Sequence, residues 1–234
     1  MESLITHPGA PSSRRDFFKR AGLGVGVLAS ASALQACDSE EPDNTSNLEL
    51  DFSSDVGVLN YAYALEQLEA AFYAAVVGAS NFTTLFPVAA EQAALRDIAA
   101  HEAIHDDFFR TAITQAAPSQ ILPRLTPNLP ASALASRASV LATAQTFEDL
   151  GVSAYNGAGQ YITSDAYLTL AGKIVSVEAR HASIIAGLIS PNSISASGQI
   201  DANGLDKSKP PREVLASAQP FITETITVKE GTGL

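Results

Sequence analysis

The sequence predicts an all-α fold, a four-helix bundle with a long crossover between helices 2 and 3 and a short irregular C-terminal tail. Two observations support this prediction. Between about residues 54 and 189, apolar residues recur at the spacing of helices rather than strands. Four prolines between positions 118 and 130 interrupt that pattern and exclude a helix or a central strand there. The proline-rich segment is long enough to cross a bundle from one end to the other.

The first two predicted helices have readable boundaries. The first begins at residues 53–54, where a serine can cap it, carries Asp55 in its first turn and ends near Gly78. After the loop ASNFTTLFP, Pro87 can open a second helix that ends at Pro118. A short loop therefore joins the first pair.

The last two predicted helices form a second pair. One runs from about Ser132 to Asn156 and ends at the GAG of residues 157–159, and the other runs from a cap at residues 163–164 to Pro191. A short loop within each pair and a long crossover between the pairs is a connectivity that differs from that of an up-down-up-down bundle. Because any helical bundle shows the same periodicity, the polar residues within the predicted core carry the rest of the prediction.

Six polar residues lie in the middle of the predicted apolar stripes: Glu66, Glu102, His105, Glu148, Glu178 and His181. At 100° per residue, the second and fourth helices each present an ExxH pair inward, and the first and third each present one Glu. An ionised carboxylate in an apolar core costs several kcal/mol unless it is paired or bound to a metal. Because no Lys or Arg shares these stripes, the sequence predicts a site for metal cations.

This pattern resembles the di-iron carboxylate proteins of the ferritin-like superfamily, in which two helices give a Glu and two give an ExxH pair. Tyr73 and Tyr155 each follow a Glu by seven residues, which is similar to ferritins and rubrerythrins. The resemblance covers about residues 54–190. The resemblance is closest to an exported ferritin-like group that includes the desiccation-related proteins. Residues 204–222 also resemble the C-terminal tail of that group.

The resemblance implies two iron ions, or iron and manganese, bridged by Glu102 and Glu178, with the other four residues as terminal ligands. It implies an oxidoreductase that reacts with O2 or peroxide, in which Tyr73 or Tyr155 donates a hydrogen bond or an electron. Electrons then come from Fe(II) or an external donor. A non-catalytic bundle that protects against stress or desiccation is the alternative function.

Glu69 is a possible additional ligand, because it lies one turn from Glu66 on the same stripe. It is interpreted as a bridging ligand, a contact of a ligand, or the true ligand of the first helix. Glu66 is preferred because Tyr73 follows it by seven residues.

The stretch HEAIH, residues 101–105, also matches the HExxH signature of zinc peptidases, with His101 and His105 as ligands and Glu102 as base. That site needs a third ligand, yet no His or Glu follows until Glu148, beyond the crossover. A zinc peptidase is therefore a distant alternative. His101 is expected at the surface or against a ligand, and residues 106–107 are expected to flank the site or face solvent.

Residues 1–36 are predicted to be a twin-arginine signal peptide. SRRDFFK carries Arg14 and Arg15, and the weakly apolar stretch of residues 21–34 that follows is too short to span a membrane. A chance Arg pair in a cytoplasmic protein would not explain this order of charge, apolar stretch and small residues. The protein is therefore expected at the cell envelope, in the periplasm or at the surface.

Cys37, the only cysteine, excludes an internal disulfide and a Cys-based metal centre. Together with Leu34 and Ala36 it resembles a bacterial lipobox, which predicts lipidation of Cys37 and a flexible acidic tether over residues 37–52. The alternative is cleavage before an incidental thiol. Under the lipid interpretation, the membrane is contacted through that lipid only.

Charge narrows the range of partners. The chain has 14 basic and 25 acidic residues, and removal of residues 1–36 leaves 10 and 23, a net charge of −13. Such a surface argues against nucleic acid or anionic lipid as a partner. A C-terminal extension, residues 191–234, is expected to pack on the bundle with a short helix near residues 212–217 and a β-prone ending. A homodimer remains possible.

Overall fold

The computed structural model describes residues 47–229, so the predicted export motif at Arg14 and Arg15 and the predicted lipidation site Cys37 lie outside the described residues. Four long helices dominate this part of the chain: α1 (Asp55–Gly78), α3 (Ala89–Ala116), α4 (Arg137–Ala158) and α5 (Asp165–Ile189). The prediction of an all-α bundle is confirmed, and its long crossover lies between α3 and α4. None of the helices within residues 47–229 is long and apolar enough to cross a membrane.

The amino ends of α1 and α5 are fixed together. The Ser54 hydroxyl accepts a hydrogen bond from the Gly57 amide and caps α1. The Asp55 carboxylate in the first turn of α1 accepts hydrogen bonds from the backbone amides of Thr163 and Ser164, the latter being the N-cap of α5. One acidic residue therefore ties the start of the first bundle helix to the start of the last.

The loop between α1 and α3 is more ordered than predicted. A one-turn helix, α2 (Phe82–Leu85), lies within it. Phe82 and Phe86 are buried and their rings pack against each other, and the Arg96 guanidinium lies over the Phe82 ring. Two buried aromatic side chains hold this turn in a helical form that its sequence pattern alone does not indicate.

The crossover is anchored to α1 through side-chain amides. The Asn60 side chain accepts a hydrogen bond from the Leu122 amide, and Gln67 accepts one from the Leu125 amide. The following helix begins later than predicted, because Ala131–Leu134 forms a separate 3-10 turn. Ser136 then caps α4 through a reciprocal hydrogen-bond pair with Ser139.

Residues 47–52, predicted as part of the flexible tether, are instead packed on the protein. Strand β1 (Asn47–Leu50) pairs in parallel with strand β2 (Thr225–Val228), with Asn47 opposite Thr225. Leu50 and Phe52 are buried. The prediction was wrong here because the pairing partner of β1 lies at the other end of the chain.

The C-terminal extension confirms the predicted short helix and forms a strand in its β-prone ending. It contains helix α6 (Pro211–Ala218), a 3-10 turn at Gln219–Phe221 and β2. Val214 of α6 is fully buried, and the Lys209 amide just before this helix donates a hydrogen bond to the Ser153 carbonyl oxygen of α4. Glu224 accepts hydrogen bonds from the amide and hydroxyl of Thr126 in the crossover. Within the described residues, the tail therefore packs on the bundle.

Candidate metal centre

The four bundle helices bring all six predicted ligand residues into one buried cluster. Their side-chain donor atoms form two overlapping groups, each with its atoms within 4.8 Å of one another. The first group is Glu66, Glu102, His105 and Glu178, and the second is Glu102, Glu148, Glu178 and His181. Glu102 and Glu178 belong to both groups, and they are the residues that the family resemblance implies as bridging ligands.

The ExxH pair of α3 faces the ExxH pair of α5. His105 Nδ1 lies 2.8 Å from Glu178 Oε1, and His181 Nδ1 lies 2.8 Å from Glu102 Oε1. Each imidazole thus approaches the glutamate of the opposite helix more closely than the one on its own helix, which is 3.6 Å away in both cases. The cluster therefore depends on the packing of α3 against α5, not on either helix alone.

The two predicted tyrosines hold the outer carboxylates from the opposite helix. The Tyr73 hydroxyl on α1 donates a hydrogen bond to Glu148 Oε1 on α4 at 2.5 Å, and the Tyr155 hydroxyl on α4 donates one to Glu66 Oε1 on α1. Helices α1 and α4 are therefore antiparallel. Because Tyr73 contacts Glu148, its position seven residues after Glu66 is not a reason to prefer Glu66 as the ligand of α1.

Glu69 is buried but belongs to neither group. It points toward α4, where a Cβ atom on Gly151 would lie 3.0 Å from Glu69 Oε1. Burial, together with the carboxylates of Glu102 and Glu178, raises the pKa of Glu69 well above its ordinary range. A negative charge on Glu69 is therefore disfavoured in the metal-free protein.

The cluster has donor atoms that the protein itself does not satisfy. Among the described residues, eight of its buried atoms have no hydrogen-bond partner: Glu66 Oε2, both oxygens of Glu102, His105 Nδ1, Glu148 Oε2, both oxygens of Glu178 and His181 Nδ1. The imidazole–carboxylate contacts of 2.8 Å are close, but they do not have hydrogen-bond geometry. Buried polar atoms normally make hydrogen bonds, so converging oxygen and nitrogen atoms that make none fit divalent or trivalent cations.

Burial and contact between the side chains shift pKa values within the cluster. Burial raises the pKa of Glu148 to about 8 and also raises that of Glu66, where Glu178 adds to the effect. Burial alone would raise the pKa of Glu102, but the two imidazoles lower it to about 2. Burial would lower the pKa of the imidazoles, yet the surrounding carboxylates raise it to about 12 in His105 and His181. Without metal, protons partly neutralise the cluster.

The structure does not place both histidines of HEAIH on one ion. His101 is exposed and belongs to neither group, and its Nδ1 lies 2.9 Å from Nε2 of His181, with the two rings stacked. Because Nε2 of His181 contacts His101, the other ring nitrogen, Nδ1, faces the carboxylates. His101 thus lies at the surface and also contacts a candidate ligand, as expected. The zinc-peptidase interpretation loses its first ligand, because His101 belongs to neither group.

The aspartates after His105 differ in environment. Asp106 is buried and forms an ion pair with Arg124 of the crossover at 2.5 Å, so it neither faces solvent nor enters the cluster. Asp107 is exposed and pairs with Arg110. The link from Asp106 to the crossover was missed because its partner lies in a segment without periodicity.

Comparison with known proteins agrees with this geometry. The family model described as a ferritin-like domain matches residues 54–191, a span that contains all four bundle helices and all six cluster residues. A search of curated proteins gives no match. Since the matched span exceeds half of the 234 residues, the chain belongs to the ferritin-like domain family.

Proposed function

We propose that this protein binds two iron ions, or one iron and one manganese ion, in the cluster and reduces O2 or peroxide there. The observation that carries the proposal is the set of eight converging donor atoms that make no hydrogen bond within the described residues in a buried site. Carboxylate and imidazole ligands suit iron and manganese, and no sulfur ligand is present in the cluster. The family membership supports the same assignment.

The overlap of the two groups gives each residue a role in the proposal. Glu102 and Glu178 would bridge the two ions, because both are common to the two groups. Glu66 with His105 would hold one ion, and Glu148 with His181 the other. Bound Fe(II) would supply one electron per ion, so that two ions and two protons convert O2 into H2O2.

The residues around the ions prepare this reaction. The hydroxyls of Tyr73 and Tyr155 each hold one oxygen of an outer carboxylate, and the other oxygen of each carboxylate, which makes no hydrogen bond, would bind an ion. Buried aromatic and aliphatic side chains exclude bulk water from the cluster. External electron donors or Fe(II) itself would reduce the site, and either tyrosine could also give an electron.

The setting of this activity is proposed from the sequence. SRRDFFK and Cys37 support export by the twin-arginine route and lipid anchoring at the cell envelope. That route moves folded proteins, so the ions would be loaded before export. The resemblance of the sequence to desiccation-related proteins would fit the alternative function, a non-catalytic bundle that protects against stress or desiccation.

Metal analysis of the mature protein, purified without added metal, tests the site. We expect about two iron or manganese ions per chain in the parent protein, and loss of both in Glu102→Ala and Glu178→Ala. Glu213→Gln changes an exposed carboxylate outside the cluster and serves as the matched control, which should keep both ions. Retention of metal by both cluster variants would reject the assignment.

Turnover is tested separately with the Fe(II)-loaded protein. Rapid mixing with O2 or peroxide should consume the oxidant faster than the same concentration of free Fe(II). A rate no faster than that of free Fe(II), at full metal occupancy, would reject the oxidoreductase and leave the non-catalytic protective bundle.

A further inference from the structure

An apolar cavity of about 30 Å³ lies at one end of the bundle, beside the metal cluster. Leu59 and Ala62 of α1, Ala112 of α3, Ala158 of α4 and Ile174 of α5 contribute to its wall. Half-buried side chains, among them Phe108 and Leu170, lie toward its outer end. All four bundle helices therefore contribute to this space.

The cavity is adjacent to the first group of candidate ligands. On their helices, Ala62 lies four residues before Glu66, and Ile174 lies four residues before Glu178. Residues four apart on a helix occupy the same face. Tyr155 forms part of the cavity wall, and its hydroxyl donates a hydrogen bond to Glu66. The cavity and the cluster thus share a wall made of ligand neighbours and one tyrosine.

The opposite end of the cluster is packed more tightly, although the helices there repeat the same pattern. Leu59 and Ala62 precede Glu66 by seven and four residues, as Leu141 and Ala144 precede Glu148. The first two are 7% and 8% exposed, and the second two are 1% and 0% exposed.

The tyrosines and isoleucines show the same difference between the two ends. Tyr155 is 9% exposed and Tyr73 is fully buried, while Ile174 is 9% exposed and Ile98, at the equivalent place before Glu102, is 1% exposed. In each of the four comparisons, the looser residue is the one that lines the cavity. The looser packing is therefore a property of one end of the cluster.

Size and lining indicate the occupant. A space of about 30 Å³ exceeds the roughly 10–15 Å³ that one water needs, but it is far below the roughly 150 Å³ of a cavity that binds benzene. A stable buried water also needs about two to four polar partners. The wall is almost entirely hydrocarbon and aromatic, and the Tyr155 hydroxyl is already used by Glu66. Tyr61 also lines the cavity and has a buried hydroxyl without a partner within residues 47–229, but one such group is fewer than a stable water needs.

We propose that this cavity binds O2 and delivers it to the metal pair from the side of Glu66 and Tyr155. The inference rests on the proposed function, since O2 is the small apolar reactant of that site. A diatomic, apolar molecule fits the volume and needs no hydrogen bond. Because the other end is closely packed, O2 would approach the cluster from the side of Glu66 and His105, the residues that would hold one of the two ions.

Xenon, an apolar probe of small size, tests the cavity without any turnover. We expect the mature, metal-free protein under xenon pressure to show saturable binding by 129Xe NMR. Ala158→Leu and Ala112→Leu fill the space from two different helices and should abolish that binding. Ala100→Leu places the same change at an exposed position of α3 and should leave it intact.

The same variants, loaded with Fe(II), test delivery. We expect both filling variants to keep full metal content but to need a several-fold higher O2 concentration for half-maximal rate, with the limiting rate unchanged. Leu59→Ala enlarges the cavity and should strengthen xenon binding. It provides a test even if a filling variant does not fold.

The outcomes of the two tests are separable. Failure of the parent protein to bind xenon, or an unchanged O2 dependence in filling variants that have lost xenon, would overturn the cavity proposal. Loss of xenon binding in Ala100→Leu would overturn it as well. Xenon binding by a protein that takes up neither iron nor manganese when they are supplied would instead reject the proposed function and leave the cavity without its reactant.

Discussion

The Tyr73 hydroxyl donates a hydrogen bond to Glu148 Oε1 at 2.5 Å, and the partner bond from Tyr155 to Glu66 repeats it in the opposite direction. Each tyrosine lies seven residues after a glutamate on its own helix but contacts the glutamate of the other helix. These two bonds therefore link α1 to α4 within the core as well as orienting two candidate ligands.

Removal of either hydroxyl should destabilise the protein. Tyr73→Phe or Tyr155→Phe leaves a buried carboxylate oxygen without its partner, which costs about 1–3 kcal/mol. Urea unfolding of the metal-free protein measures this loss. Tyr61→Phe is the matched control, because the Tyr61 hydroxyl is buried without a hydrogen-bond partner and its removal should be neutral or stabilising. Equal losses in all three variants would contradict the role of the two bonds.

Glu69→Gln should keep both metal ions, whereas Glu66→Gln should not. Glu69 lies outside both groups, so an amide of the same shape removes no ligand atom from them. Glu66→Gln removes a carboxylate oxygen from the first group, and we expect one ion to bind more weakly by at least the roughly 10–100-fold that loss of an outer partner costs. Metal titration of both variants measures this. Equal weakening in both would make Glu69 a ligand.

The cluster could be predicted from the sequence because the pattern that indicates it lies within single helices. Glu178 and His181 repeat the spacing of Glu102 and His105, and a charged group on an apolar helical face is improbable without a partner. The structure confirms that these residues meet. The role of Tyr73 was not accessible, because spacing along one helix does not reveal which residue of the neighbouring helix it faces.

The elements that were missed depend on distant contacts. Strand β1 at residues 47–50 acquires its form from β2, which lies near the other end of the chain. Helix α2 is held by the buried rings of Phe82 and Phe86 rather than by a periodic pattern. A loop-like or tether-like composition can therefore become regular when tertiary packing supplies partners that local sequence does not contain.

Metal binding should release protons. In the metal-free protein, burial opposes the charge on His105 and His181, but the neighbouring carboxylates raise the pKa of both to about 12, so both imidazoles are protonated at neutral pH. The stabilisation from these charged imidazoles is present in full below their ordinary pKa and is lost only as pH rises through about 12. Two ions that bind Nδ1 must displace at least two protons.

Calorimetry in buffers with different ionisation enthalpies measures this release. Affinity for the pair of ions should fall by about tenfold per displaced proton for each unit of falling pH around neutrality. A binding enthalpy independent of the buffer, with pH-independent affinity, would mean that the imidazoles do not bind the ions.

Two glycines test how the tail packs on the bundle. A Cβ atom on Gly157 of α4 would lie 1.9 Å from the Lys209 carbonyl oxygen of the tail, whereas Gly172 of α5 has no atom within 4 Å of such a position. Alanine improves helix propensity by about 1 kcal/mol at either site. At Gly157 the overlap with backbone should outweigh this gain, because no side-chain rotation relieves it, and cost about 1–3 kcal/mol.

We therefore expect Gly172→Ala to raise the free energy of unfolding and Gly157→Ala to lower it. Gly157→Ala should also expose the segment around Lys209 to limited proteolysis, since the amide of Lys209 donates to Ser153 only while the tail lies on α4. Stabilisation by both substitutions, with an unchanged cleavage pattern, would show that the tail does not lie against Gly157.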